Sequence, residues 1–272
     1  MSDGLISVKL SGKIAVVTGS GGEGSGRAEA VRLASEGCCV LVSDINDAGG
    51  HETVRRITLR GGRAAFRRCN VSRPEEVEAL VAFAEETFGG LDILINNASG
   101  PGYKPSAPPE EWLPTLEVDL LGAIYGLRYA LPAMRKRGGG AIVNVGSTSA
   151  LTHRSSHSGM TPYDVAKIGV LRMTTTLSSM RDKDNIRVNC LVPHWIAAPE
   201  VKAYWETLTP EERLAKGVPS KLIELDEVAQ AVVRLITDDN LAGRALILWD
   251  GPRAELISAT DPGYASVERY AL

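Results

Sequence analysis

Tyr163 and Lys167 stand four residues apart in Thr161-Pro162-Tyr163-Asp164-Val165-Ala166-Lys167. A helix beginning at Thr161 would place the phenol and the ammonium on one face. In that reading Thr161 is the N-cap, Pro162 is the first helical residue, and Asp164 closes a capping box. An ammonium beside a phenol favours the phenolate. Such a pair can take up and release a proton near neutral pH. Four-residue coincidences recur freely in proteins, so the weight of this one depends on the elements that position it.

Those elements begin near the N-terminus. After Lys13, the run Ile14-Ala15-Val16-Val17 is continuously apolar and passes through Thr18 to end at Gly19, as expected for a strand buried on both faces. A glycine-rich turn spans Gly19 to Gly26. A helical pattern follows over 27–36, with Ala30, Val31 and Ala34 in register and Gly37 as its stop. A second apolar strand, 38–43, ends at Asp44. In this order the bare glycine backbone can approach a pyrophosphate, and the helix N-terminus can stabilise its charge. Asp44, 25 positions after Gly19, can accept hydrogen bonds from ribose hydroxyls and repel a 2′-phosphate, which favours NAD over NADP.

The alternation continues. Strands are expected at 64–69, 91–95, 141–145, 186–192 and 245–249, with helices at 47–60, 74–88, 110–137, 161–181 and 226–238. Pro114 is expected to break or restart the long helix and Pro132 to kink or end it. The 201–217 stretch reads as helical and outside the main sheet. Strands alternating with helices imply an α/β, doubly wound, mostly parallel seven-stranded sheet with helices on both faces. No linker or repeat divides it, so residues 1–272 are expected to form one domain, with a tail at 1–9 and an extension at 253–272. That extension is expected to reach a neighbouring subunit or to be poorly ordered.

Composition narrows the function classes. A hydrophobic content of 44% in 272 residues can bury a real core. The net charge of −3 offers no basic field for nucleic acid or an anionic membrane. Arg67-Arg68 and Arg135-Lys136-Arg137 read as a solvated face and a helix C-terminus. Cys38, Cys39, Cys69 and Cys190 have no metal-like spacing among themselves or with histidine, so no metal is expected and the thiols read as free. No signal peptide and no membrane span are evident, and a cytoplasmic protein is expected.

With strand, glycine turn, helix, strand and acid in order, the chain resembles the short-chain dehydrogenase/reductase family from about Leu10 to Gly251. The resemblance implies a Rossmann-type fold. The family's Thr-Gly-x-x-x-Gly-x-Gly motif matches Thr18-Gly19 and Gly24-Ser25-Gly26, with four residues rather than three between the first two glycines. Asn96-Asn97-Ala98-Ser99 resembles the Asn-Asn-Ala-Gly stretch, with serine in the last place. Asn70-Val71 stands where an Asp-Val pair meets adenine. Pro193-His194-Trp195-Ile196 resembles the Pro-Gly stretch that covers the nicotinamide, and Trp249-Asp250-Gly251-Pro252 the terminal Asp-Gly-Gly.

Tyr163 and Lys167 match the family's Tyr-x-x-x-Lys. The family's serine falls best on Ser147, with Ser149 as the rival. The 16-residue interval from Ser147 to Tyr163 is longer than usual and implies an insertion in the 152–160 loop. The fourth catalytic position, usually Asn, is Asp119. In the family it holds a water near the lysine through its main chain, and here it can add a negative charge to the proton path.

The resemblance therefore implies hydride transfer between NAD and an alcohol or carbonyl substrate. Tyr163 would be the general acid/base, Ser147 would bond the substrate oxygen, and Lys167 would hold the nicotinamide ribose. The cofactor contacts implied are Gly19, Gly24, Ser25, Asp44, Ile45, Asn70, Val71, Asn97, Ala98, Ser99, Tyr163, Lys167, Pro193 and Ile196. A homodimer or homotetramer is implied as well. His153, His157 and Met160 read as loop or packing residues beside the pocket. Tyr103, Trp112, Trp195, Tyr204 and Trp205 read equally as pocket walls or as interface and core aromatics. A dinucleotide-binding regulator that has lost turnover is the alternative, and it draws on Asp119, Ser99, His194 and the longer glycine turn. Epimerisation on a related fold is disfavoured because the chain lacks a large substrate domain.

Overall fold

In the computed structural model, which describes residues 10–100, 108–151, 160–250 and 254–258, the chain alternates strand and helix from Ile14 onward. The first half comprises β1 (Ile14–Thr18), α1 (Ser25–Ser35), β2 (Cys39–Asp44), α2 (Asp47–Thr58), β3 (Arg63–Arg68), α3 (Pro74–Phe88) and β4 (Ile93–Asn96). A 3-10 turn (Pro109–Glu111), the short α4 (Leu113–Leu116), a π-helical turn (Glu117–Leu121) and α5 (Gly122–Lys136) follow. Next come β5 (Gly140–Val145), α6 (Thr161–Thr176), α7 (Met180–Asp184) and β6 (Ile186–Pro193). The chain then forms α8 (Pro199–Glu206), α9 (Pro210–Ala215), α10 (Leu225–Thr237), β7 (Ala245–Leu248) and β8 (Ala254–Leu256).

The strands form one sheet in the order β3-β2-β1-β4-β5-β6-β7-β8. All neighbours are parallel except β7 and β8, which pair antiparallel. The central strands are apolar because both faces are covered. On β1, Ala15 and Val17 join Ala30, Leu33, Val228 and Val232 of α1 and α10, whereas Val16 joins Val77, Leu80, Leu127 and Met134 of α3 and α5. The chain reverses direction across the sheet between β1 and β4, so the crevice for a ligand lies beyond the carboxyl ends of these strands.

A buried polar chain fixes the elements below that crevice. Asn96 Nδ2 donates to Asn144 Oδ1 at 2.8 Å, and Asn144 Nδ2 donates to Thr174 Oγ1 at 2.9 Å. β4, β5 and α6 are thereby held in one register.

Several elements differ from expectation. Residues Ala254–Leu256, expected in the extension, add an eighth strand to this chain's own sheet. The expected 110–137 helix is divided at Glu117–Leu121, although α5 runs through Pro132 to Lys136. The expected 161–181 helix ends at Thr176, where the hydroxyls of Thr174, Thr175 and Thr176 bond back to carbonyls of Val170, Arg172 and Met173. Such back-bonding competes with helix propagation. The 201–217 stretch is two short helices, α9 opening with a Thr209–Glu212 capping box. The expected cap on α6 is corrected. Thr161 is already helical, Met160 is the N-cap, and no side chain caps that end.

The basic run at the end of α5 behaves as expected. Arg135 pairs with Asp184, Lys136 with Glu85 and Arg137 with Asp92. Cys38, Cys69 and Cys190 are buried and free, and burial pushes each thiol up to about 12. No helix among the described residues is long and apolar enough to cross a membrane.

Glu29 of α1 is fully buried with no hydrogen-bond partner for either oxygen, and desolvation raises its carboxyl to about 8. The native chain therefore holds a proton that the unfolded chain releases from about 4.5 upward. Its contribution to stability is complete below that pH and is lost as pH rises toward 8. Glu29→Gln cannot titrate, so its melting temperature is expected to lack the fall the native protein shows across that window. Parallel melting curves at several pH values check this, and identical slopes would contradict it.

Candidate active site

Three glycines shape the turn after β1. Gly19 has φ +66°, and a Cβ there would lie 2.7 Å from Ala98 Cα. A Cβ on Gly26 would lie 2.3 Å from the Gly19 carbonyl oxygen and 2.4 Å from Asn97 Nδ2. A Cβ on Gly21 would lie 2.8 Å from Asp44 Cβ. The backbone is thus drawn tightly around the N-terminus of α1, whose N-cap Gly24 brings no side-chain cap to the helical amides. Bare backbone beside a helix N-terminus suits an anionic pyrophosphate. The residues fit a dinucleotide.

The turn is braced from three sides. Asn97 Nδ2 donates to the carbonyls of Thr18 and Gly19 at 3.0 and 3.1 Å, and Ser25 Oγ donates to Asn97 Oδ1 at 2.8 Å. Thr18 Oγ1 accepts the amides of Asn97 and Ala98, each at 3.1 Å. Buried Arg27 donates to the carbonyls of Gly21 and Gly49 and to Thr53 Oγ1. Desolvation and the nearby Arg56 hold the Arg27 guanidinium below its ordinary value. Sequence reasoning missed the bracing roles of Thr18 and Arg27. Only its place before Gly19 signals Thr18, and Arg27 has the pattern of a surface cation at the start of a helix.

Asp44 ends β2 beside the turn. One carboxylate oxygen accepts the Gly21 amide at 2.7 Å and the other the Asn46 amide at 2.9 Å. Ionised carboxylate oxygens keep further acceptor capacity. Ile45 beside it is 58% exposed at the mouth of the crevice. On the neighbouring strand Arg68 pairs with Asp47 and donates to the Ile45 carbonyl. Asn70 Oδ1 accepts the Ser72 amide and hydroxyl in the turn before α3, and Val71 packs in the α3–α5 core.

At the end of β5 the proton-transfer candidates converge. Lys167 Nζ donates to the Val145 carbonyl at 3.0 Å, two residues before Ser147, and lies 5.3 Å from the Tyr163 ring centroid. Ser147 Oγ accepts the Ser149 amide at 3.2 Å, and Ser149 Oγ is buried, so the half-buried Ser147 is the serine nearer solvent. Lys167 also forms a direct ion pair with Asp119 at 3.1 Å, with both side chains almost wholly buried. The family's role for this position lies in its main chain, whereas here the Asp119 carboxylate itself sets a negative charge against the lysine, as its side chain allows. Desolvation opposes the ammonium, yet Tyr163 and Asp119 outweigh it, and the net effect raises Lys167 above its ordinary value.

Pro193 is buried at the end of β6, and Ile196 follows it in a parallel bridge to Ile223. His194 lies 5.8 Å from the Trp249 ring. Trp195 stacks on Tyr204, whereas Trp205 is held by Arg213 over its ring and by its own bond to the Pro219 carbonyl, inside the α8–α9 segment. Tyr103, His153, His157, Gly251 and Pro252 lie outside the described residues.

Residues 21–245 match the family model described as enoyl-(acyl carrier protein) reductase. The chain is 35% identical over 239 residues to cyclohexanol dehydrogenase of Acinetobacter sp. (strain SE19), covering 86% of this chain and 92% of that protein. It is 31% identical over 232 residues to 7α-hydroxysteroid dehydrogenase of Escherichia coli (strain K12), covering 84% and 88%. A solved 7α-hydroxysteroid dehydrogenase complexed with NADH and 7-oxo glycochenodeoxycholic acid superposes with a TM-score of 0.81 at 28% identity, over 92% of this chain and 98% of that one.

Proposed function

The chain belongs to the short-chain dehydrogenase/reductase family and is an oxidoreductase of alcohol and carbonyl groups, and we propose that it uses NAD and takes carbocyclic secondary alcohols or their ketones. The observation that carries the reading is the position of Lys167, which joins the end of β5 to Asp119 while facing the Tyr163 ring. The substrate class is supported by the names of the similar enzymes, which act on cyclohexanol and on a hydroxysteroid.

A nicotinamide cofactor supplies the hydride acceptor or donor. The glycine turn, Ser25 and the α1 N-terminus would hold its pyrophosphate, and Asp44 its adenosine ribose. Asn97, Ala98, Ser99, Pro193 and Ile196 would border its nicotinamide end. Ser147 hydrogen-bonds the substrate oxygen. Tyr163, as phenolate, takes the hydroxyl proton when an alcohol is oxidised and returns it when a ketone is reduced. Lys167 keeps a positive charge beside that phenolate. Burial of Lys167 and the end of β5 keeps water from competing for these donors.

The cofactor choice follows from charge. A 2′-phosphate brought to Asp44 meets a carboxylate that two backbone amides hold in place. NAD is expected to bind at least about tenfold more tightly than NADP, which corresponds to about 1.4 kcal/mol. Asp44→Ala should narrow that ratio. Quenching of intrinsic fluorescence by each dinucleotide measures it, and equal affinities for the native protein would remove Asp44 from cofactor choice.

A further inference from the structure

The chain departs from its family's pattern at Ser99, where glycine is usual, and at Asp119, where asparagine is usual. The structure joins these two positions. Ser99 Oγ donates to Asp119 Oδ1 at 2.7 Å, and the Lys167 ammonium lies 3.1 Å from that same oxygen. The Gly100 amide donates to Oδ2 at 2.8 Å. Three donors therefore converge on one buried carboxylate.

We propose that Ser99 and Asp119 form a single unit that partly neutralises Lys167, so that Asp119 is a positioning residue setting the pH range in which Tyr163 works. The ionisable groups on every element packed against α6 are few. Tyr163, half-buried Asp164 and exposed Arg172 lie on α6 itself, Glu117 and Asp119 on the π-helical turn, and Arg187 and Cys190 on β6. Glu117 is exposed and Arg187 pairs with Asp239. Cys190 is buried and keeps its proton, its thiol pushed up to about 12. Asp119 is thus the charge that answers Lys167 inside the site.

A bare lysine cation stabilises a neighbouring phenolate, and a carboxylate against that cation weakens the stabilisation. The Asp119–Lys167 pair therefore moves the onset of proton acceptance toward higher pH than an asparagine would. Ser99 shares Oδ1 with the ammonium, so its hydroxyl lessens the carboxylate's hold on Lys167. The π-helical turn carries Asp119 inward, because such a turn alters the helical register by one residue.

The proposal rests on the oxidoreductase reading for its kinetic arm only. Asp119→Asn is expected to shift the acidic limb of the kcat profile for alcohol oxidation about one pH unit toward acid. Ser99→Gly should shift it modestly the other way. The double variant should coincide with Asp119→Asn, because the serine acts only through the carboxylate. An unmoved limb in Asp119→Asn, or additive shifts in the double variant, would overturn the unit.

A second measurement needs no turnover. The 15Nζ resonance of Lys167, assigned by its loss in Lys167→Arg, should titrate at lower pH in Asp119→Asn than in the native protein. Coincident titrations would overturn the proposal even if no alcohol were ever oxidised. Should Asp119→Asn fold poorly, the same resonance in Ser99→Gly should move upward, and an unchanged resonance there would also overturn it.

Discussion

Tyr163→Phe is expected to bind NAD within about twofold of the native protein and to lose about 10²–10⁴ of kcat, the span that a positioned acid or base supplies. The change removes one oxygen and keeps the ring that faces Lys167 at 5.3 Å. The packing at the start of α6 is therefore preserved, and the defect isolates proton transfer. The loss should fall on kcat and on kcat/KM alike, as for an interaction made in the transition state. Steady-state kinetics alongside a fluorescence titration separate the two effects. A variant with near-native kcat would remove Tyr163 from the mechanism.

Gly26→Ala is expected to produce the other large effect. Its added carbon would lie 2.3 Å from the Gly19 carbonyl oxygen and 2.4 Å from Asn97 Nδ2, and the first contact is with backbone. Neither the turn after β1 nor the first turn of α1 can yield without opening the cradle they form. Overpacking of this kind costs about 1–3 kcal/mol. If that strain is relieved by opening the cradle, dinucleotide affinity falls by about 10–100-fold. Gly24→Ala is the control for stability, because its added carbon meets nothing within 4 Å. Its melting temperature should equal the native value while that of Gly26→Ala falls. Native dinucleotide affinity in Gly26→Ala would show that the turn is not the binding element.

The parts of this fold that are readable in the sequence are those with local causes. α3 begins at Pro74 because proline suits the first helical turn, and it stops at Gly89 because that residue takes φ +94°. β1 is readable because its nearly unbroken apolar run leaves no solvent face. The antiparallel β8 is three residues long with an exposed–half-buried–exposed pattern, so its pairing depends on β7 rather than on its own composition. The π-helical turn at 117–121 likewise leaves no compositional trace, since it is a change of backbone register.

The site divides in the same way. Tyr163, Lys167, Asp44 and the glycines are legible because their spacing along one helix or one turn is itself the constraint. The Asp119–Lys167 pair joins two helical segments, and Ser99 reaches it from a loop after β4. Only the tertiary fold brings those three together. Arg27 is hidden in the sequence for a related reason. Its burial follows from the carbonyls of Gly21 and Gly49, which come together around it from two different segments.

Isotope transfer reports directly on whether a hydride moves at this site. The protein is saturated with NAD and offered cyclic secondary alcohols, each carrying deuterium on the carbinol carbon. Mass spectrometry then follows the recovered nicotinamide. One deuterium is expected in the nicotinamide per ketone formed with at least one such alcohol, and none in Tyr163→Phe on the same timescale. Saturable NAD binding with no deuterium transferred from any alcohol in the series would contradict hydride transfer at this site and leave a dinucleotide-binding protein without turnover.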